Sequence, residues 1–113
     1  MLSIVGIGPG SPGQLTGRAR QALLESDVII GNDVYLAQLG PLIEGKEVIR
    51  SSMGHEVERA KRSIELARSR RVAMVSGGDA GIYGMASIVL EVLEHECEEI
   101  KVEVIPGVTA ATA

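Results

Sequence analysis

Hydrophobic residues fall along this chain in two alternating patterns: short unbroken aliphatic runs, and longer stretches in which apolar side chains recur every three or four positions. The first run, residues 2–7, is rich in β-branched side chains and stops at Gly8-Pro9-Gly10-Ser11-Pro12-Gly13, as a buried parallel strand does at its carboxyl end. Residues 28–30 (closed by Gly31), 47–49, 72–75 and 102–105 (stopped by Pro106-Gly107) predict four more strands. Between them, Thr16 is placed to cap a helix running to Glu25, with Leu15, Ala19, Ala22 and Leu23 on its apolar face. Residues 34–39 predict a brief helix before Gly40-Pro41. Over residues 56–71, Val57, Ala60, Ile64 and Ala67 form a helical stripe, and Glu58 with Arg62 an i,i+4 pair on the wet side. Residues 76–81 read as a glycine-rich loop, followed by a helix over 83–96 that turns Ile88, Val89, Val92 and Leu93 inward. This alternation predicts an α/β fold, a mostly parallel five-stranded sheet with helices on both faces. Ligands on such sheets bind outside the carboxyl ends of the strands. Residues 108–113 are helix formers with no stop signal after them, so the chain is expected to be a fragment or to work with another polypeptide.

Composition narrows the function classes. A chain of 113 residues with 45% hydrophobic content makes one small domain with a real core. Two tyrosines, no phenylalanine and no tryptophan leave no stacking platform for single-stranded nucleic acid, and a formal net charge of −4 argues against a phosphate-backbone binder. Cys97 is the single cysteine, which excludes an internal disulfide, supplies no metal-ligand spacing and points to a reducing cytoplasm. The stretch Met1-Leu2-Ser3-Ile4-Val5-Gly6 has neither a basic n-region nor a long apolar run, so it reads as a first strand rather than a signal peptide or membrane anchor. His55 and His95 have no second histidine or cysteine at ligand spacing and read as surface residues. The glutamates at 94, 96, 98 and 99 and the cations Lys61, Arg62, Arg68, Arg70 and Arg71 read as solvated helix faces.

Candidate chemistry gathers in three glycine-bearing turns, each following a predicted strand: after residue 7, after residue 75 and at Pro106-Gly107. In a parallel sheet all three lie on one edge, where glycine lets backbone groups approach a ligand. Tight strand-to-helix turns also need glycine, so a single such turn has a purely structural reading; three converging favour a site. Gly8-x-Gly10-x-x-Gly13 with Asp33 further on satisfies the dinucleotide fingerprint, which keeps an NAD-binding module as one alternative. Against it, Pro9 and Pro12 remove backbone donors from the turn that should cradle a pyrophosphate. A P-loop is excluded, since Gln14 stands where lysine is required. Asp79 either caps the helix that follows it or accepts a hydrogen bond from a ligand's ribose hydroxyl or ammonium, and these roles are compatible.

Three motifs in order, Val5-Gly6-Ile7-Gly8-Pro9-Gly10 with Leu15-Thr16, Ser76-Gly77-Gly78-Asp79-Ala80-Gly81-Ile82-Tyr83-Gly84, and Val104-Ile105-Pro106-Gly107-Val108-Thr109-Ala110-Ala111, resemble the tetrapyrrole methylase family from end to end. Ser52-Met53-Gly54 with Glu56-Val57-Glu58-Arg59, Gly81-Ile82-Tyr83-Gly84-Met85-Ala86 and Thr109-Ala110-Ala111-Thr112-Ala113 look most like the subgroup that methylates C17 of precorrin-3B. The resemblance implies a two-domain enzyme in cobalamin biosynthesis, with S-adenosylmethionine held between an N-terminal parallel-sheet domain, present here, and a C-terminal domain that this chain lacks. It implies cofactor contacts at Pro9, Gly77, Gly78, Asp79, Ile82, Thr109 and Ala110. It also implies a tetrapyrrole substrate, precorrin or cobalt-precorrin, whose carboxylates Arg50 and Arg59 could meet, although both also read as plain surface charge. Some members carry an aspartate base soon after the second strand; here Asn32 falls at that place and Asp33, one residue late, is the catalytic candidate. Ser11 departs from the family's frequent aspartate and weakens any acidic role there. The sulfonium already makes the methyl group electrophilic, so the protein has mainly to align it with a macrocycle carbon, and no activated nucleophile is needed. A non-catalytic assembly domain is the other alternative. A cleft wall left bare by a missing domain would be apolar and would favour a homodimer under either reading.

Overall fold

The computed structural model describes residues 1–7, 16–51, 56–96 and 99–105, apart from the side chains of residues 78–82. Its elements are β1 (Leu2–Ile7), α1 (Gly17–Glu25), β2 (Val28–Gly31), α2 (Asp33–Leu39), a 3-10 turn (Gly40–Ile43), β3 (Glu47–Arg50), α3 (Glu56–Ala67), β4 (Val72–Gly77), α4 (Gly78–His95) and β5 (Val102–Ile105). The five strands form one sheet in the order β3-β2-β4-β1-β5, and every pairing is parallel.

The period-two alternation of strand side chains sorts the core into two layers. Leu2, Ile4, Val28, Ile30, Val72 and Met74 face α3 and α4, whose Ala60, Ile64, Ala67, Met85, Ala86, Val89 and Leu93 complete that layer. Val5, Ile7, Ile29, Ala73, Val75 and Ile105 point the other way, onto Ala19 and Leu23 of α1 and Leu36 and Leu39 of α2. Strands β1, β2 and almost all of β4 are buried on both faces, while β3 and β5 carry charge and are only partly buried. That is the order expected of a covered parallel sheet, whose centre must be apolar on both sides. Arg18 of α1 pairs with Glu103 of β5 and ties the first helix to this edge.

Local signals set most boundaries. Thr16 caps α1, its Oγ1 accepting from the Ala19 N–H at 3.0 Å. Three expectations are corrected. The third helix ends at Ala67, not residue 71, because residues 68–70 turn back toward β4. Its Val57, expected on the buried stripe, is 52% exposed and lines an open cavity between α3 and α4. The expected loop at 76–81 is instead the end of β4 and the start of α4: the ladder to β1 continues through Ser76 and Gly77, and the helix begins at Gly78 rather than residue 83.

Gly31 shows how tightly the α1/α2 layer is built. A Cβ there would collide with the Val75 side chain and meet Leu36, so only glycine lets β2 end against β4 at this depth.

Candidate active site

Because the sheet is wholly parallel, all five carboxyl ends share one edge. Ile7 of β1 pairs with Gly77 of β4, and Ile105 of β5 pairs with Val5 of β1. The three strands that precede the glycine-bearing turns are therefore adjacent, β4-β1-β5, spaced about 5 Å apart. Of the turns themselves, residues 8–15 and 106–113 lie outside the described residues, and with them Pro9, Thr109 and Ala110; so do His55 and Cys97.

The middle turn is visible in backbone. Gly77 is the residue before α4, with φ −92° and ψ 133°, and it offers no side chain to cap the helix. The first N–H groups of a helix have no acceptor within the helix itself. Gly78, Asp79 and Ile82 follow within the first turns of α4. Asp79 is thus the second residue of the helix, where a carboxylate is favoured by the helix dipole.

A cavity of about 410 Å³ opens beside Gly77, at the carboxyl ends of β2 and β4. Asn32, Tyr35, Ser76 and Gly77 line it from the strand ends and α2, Glu56 and Arg59 from α3, and Gly84, Met85 and Ile88 from α4. Tyr35 lies over the α-carbon of Gly77, so that a Cβ at residue 77 would run into its ring. Sequence reasoning missed Tyr35; its one signal was being one of two aromatic residues in the chain, just beyond a strand end.

Asn32 caps α2, its Oδ1 accepting from the N–H groups of Val34 (2.8 Å) and Tyr35 (3.4 Å). The cap occupies the acceptor oxygen, and an amide has no basic lone pair to replace a carboxylate base. Asp33 does not line the cavity; its side chain is 73% exposed and pairs with Arg50 at 2.6 Å. The strand order also separates the two halves of the dinucleotide fingerprint. In dinucleotide-binding sheets the first and second strands are neighbours, whereas here β4 lies between β1 and β2. The end of β2, where Asp33 follows, is thereby moved two strand spacings, about 10 Å, from the turn after β1. Among the described residues no group of three or more His, Cys, Asp or Glu could hold a metal ion.

Comparison with known proteins agrees with this geometry. The family model for tetrapyrrole (corrin/porphyrin) methylases matches residues 1–113. A protein of Methanothermobacter thermautotrophicus named as a probable cobalt-factor III C(17)-methyltransferase is 49% identical over 111 residues, covering 97% of this chain and 31% of that protein. The crystal structure of the methyltransferase CobJ superposes with a TM-score of 0.83 at 34% identity, over 98% of this chain and 47% of that one. Uroporphyrin-III C-methyltransferase from Thermus thermophilus, crystallised with S-adenosylhomocysteine, superposes at 0.68 with 29% identity, over 99% of this chain and 46% of that one. The chain spans between 25% and 47% of the length of the first curated relatives it matches.

Proposed function

The chain belongs to the tetrapyrrole (corrin/porphyrin) methylase family, and on that premise we propose that it is the N-terminal half of an S-adenosylmethionine-dependent C-methyltransferase of cobalamin biosynthesis. The proposed reaction is methyl transfer to C17 of precorrin-3B or cobalt-precorrin-3, with contraction of the ring. The observation that carries the reading is the adjacency of the β4, β1 and β5 ends, which launches all three family motifs from one stretch of sheet edge.

The residues present fit the cofactor. Gly77 presents backbone without a side chain, the N-terminal turn of α4 offers N–H donors, and Met85 and Ile88 supply an apolar wall. When bound, S-adenosylmethionine supplies an electrophilic methyl group; the chain's part is to hold and aim it and to keep water from the reacting carbon. Pro9, Gly77, Gly78, Asp79, Ile82, Thr109 and Ala110 are the proposed contacts. The partners are the tetrapyrrole and a C-terminal methylase domain, in the same or a separate chain. A homodimer in the cytoplasm is part of the same proposal, supported by the exposed Val57, Tyr83 and Leu90 on α3 and α4. Among the described residues no helix is long and apolar enough to cross a membrane.

Asp79 gives the proposal a test at one atom group. In the chain joined to its C-terminal half, Asp79→Ala is expected to weaken S-adenosylhomocysteine binding by ~1–3 kcal/mol, the loss of a charged hydrogen bond. Unchanged affinity by calorimetry would remove Asp79 from the site.

A further inference from the structure

Beside the Gly77 cavity lies a second one of about 480 Å³, at the carboxyl ends of β2 and β3. Three arginines line it, Arg50 from β3 and Arg59 and Arg62 from α3, against one carboxylate, Glu58. The lining itself carries a net charge of +2 in a chain whose formal net charge is −4, with Asp33 paired to Arg50 and Glu56 in the adjoining cavity at its margins. Ile30 and Ile49 give the same cavity an apolar wall. Arg59 lines both cavities and joins them into one continuous edge from Gly77 to Arg50.

Each arginine is held in a way that leaves it able to receive an anion. Arg59 is half-buried and its Nε donates to Ser51 Oγ at 3.1 Å, which fixes the plane of the guanidinium. Arg59 and Glu58 are each engaged in an interaction, so neither is a bare charge. Arg50 is paired with Asp33, but both side chains are largely exposed and such a pair is weak enough to be exchanged. Arg62 is exposed one helical turn beyond Arg59. A planar fork of N–H donors suits carboxylates better than a lysine point charge does.

Resting on the methylase reading above, we propose that Arg50, Arg59 and Arg62 form a docking edge for the peripheral carboxylates of the anionic macrocycle, with its ring against Ile30 and Ile49 and its reacting carbon turned toward the Gly77 cavity. The arginines are positioning residues: they set which part of the ring meets the methyl group and take no part in bond making. The methionine carboxylate of the cofactor is the other source of the same chemistry, and the experiment separates the two.

The chain joined to its C-terminal half is titrated with the octacarboxylate uroporphyrin I, with the tetracarboxylate coproporphyrin I and with S-adenosylhomocysteine, at two salt concentrations. The parent protein is expected to prefer uroporphyrin. Arg50→Ala/Arg62→Ala, which spares the Arg59 shared with the Gly77 cavity, should weaken its binding about 10-fold or more and flatten its salt dependence, while S-adenosylhomocysteine binding stays within about twofold. Arg62→Glu, at an exposed position that does not threaten folding, should show the same loss by itself. Uroporphyrin bound equally by parent and Arg62→Glu overturns the docking edge, as does a loss confined to S-adenosylhomocysteine. Parent protein that binds S-adenosylhomocysteine but no porphyrin also overturns it and leaves the cofactor site standing. Failure of the parent to bind S-adenosylhomocysteine counts against the methylase reading itself, whatever the porphyrins do.

Discussion

Ile4→Ala is expected to lower the free energy of unfolding by about 2–5 kcal/mol, a large part of what a domain of this size has to lose. Ile4 is fully buried on β1, between Met74 of β4 and Val104 of β5, in the layer that meets α3 and α4. Its neighbours are held by two parallel ladders and cannot collapse into the space left, so the lost transfer energy and the cavity add. Urea denaturation followed by circular dichroism measures the effect as a fall in midpoint at constant slope. Leu24→Ala, on the 54% exposed side of α1, is the control and should change stability by no more than about 0.5 kcal/mol. Equal effects at the two positions would mean that the two-layer core is wrongly drawn.

Gly77→Ala is expected to damage both stability and ligand binding. The new methyl group falls on Tyr35, which must swing its ring away from the cavity or push the end of β4 aside. Overpacking of this kind costs about 1–3 kcal/mol. Since Gly77 is also a proposed cofactor contact, affinity for S-adenosylhomocysteine should fall by about 10-fold or more, the equivalent of at least 1.4 kcal/mol. Tyr35→Ala in the same chain removes the obstacle, and the pair should show a coupling of about 0.5–3 kcal/mol, whereas strict additivity would deny the contact. Tyr35 and Tyr83 are the chain's whole set of aromatic side chains, so tyrosine fluorescence reports the movement of the ring directly.

Much of this architecture is legible in the sequence because its signals are local. The apolar runs at residues 2–7, interrupted by Ser3, and 72–75 predict strands covered on both faces, and β1 and β4 are central. The charged runs Glu47–Arg50 and Val102–Ile105 are the edges. Which central strands pair is not local information. The insertion of β4 between β1 and β2 follows from crossover packing over whole helices, and it is this insertion that parts Asp33 from the glycine turn and removes the force of the dinucleotide fingerprint.

The start of α4 was hidden for a related reason. Gly78 and Gly81 have poor helix propensity, and the residues become helical because β4 delivers the chain directly into a helix packed on the sheet. At the candidate site, Gly77 and the order of the motifs could be read in advance. The roof that Tyr35 makes over Gly77 could not, because forty-two positions separate the two residues and no spacing rule joins them. Arg59 could be suspected, but only the fold puts it between two cavities and beside Arg62.

The central claim is that this chain supplies one wall of a cleft for S-adenosylmethionine and that a C-terminal methylase half supplies the other. It is tested most directly by calorimetric titration with S-adenosylhomocysteine and, separately, with NAD, first on this chain alone and then on the chain mixed with a C-terminal methylase half. Binding of S-adenosylhomocysteine that emerges or tightens on mixing, with no response to NAD, is the predicted result. NAD binding to the chain alone, or no S-adenosylhomocysteine binding in either sample, would contradict it.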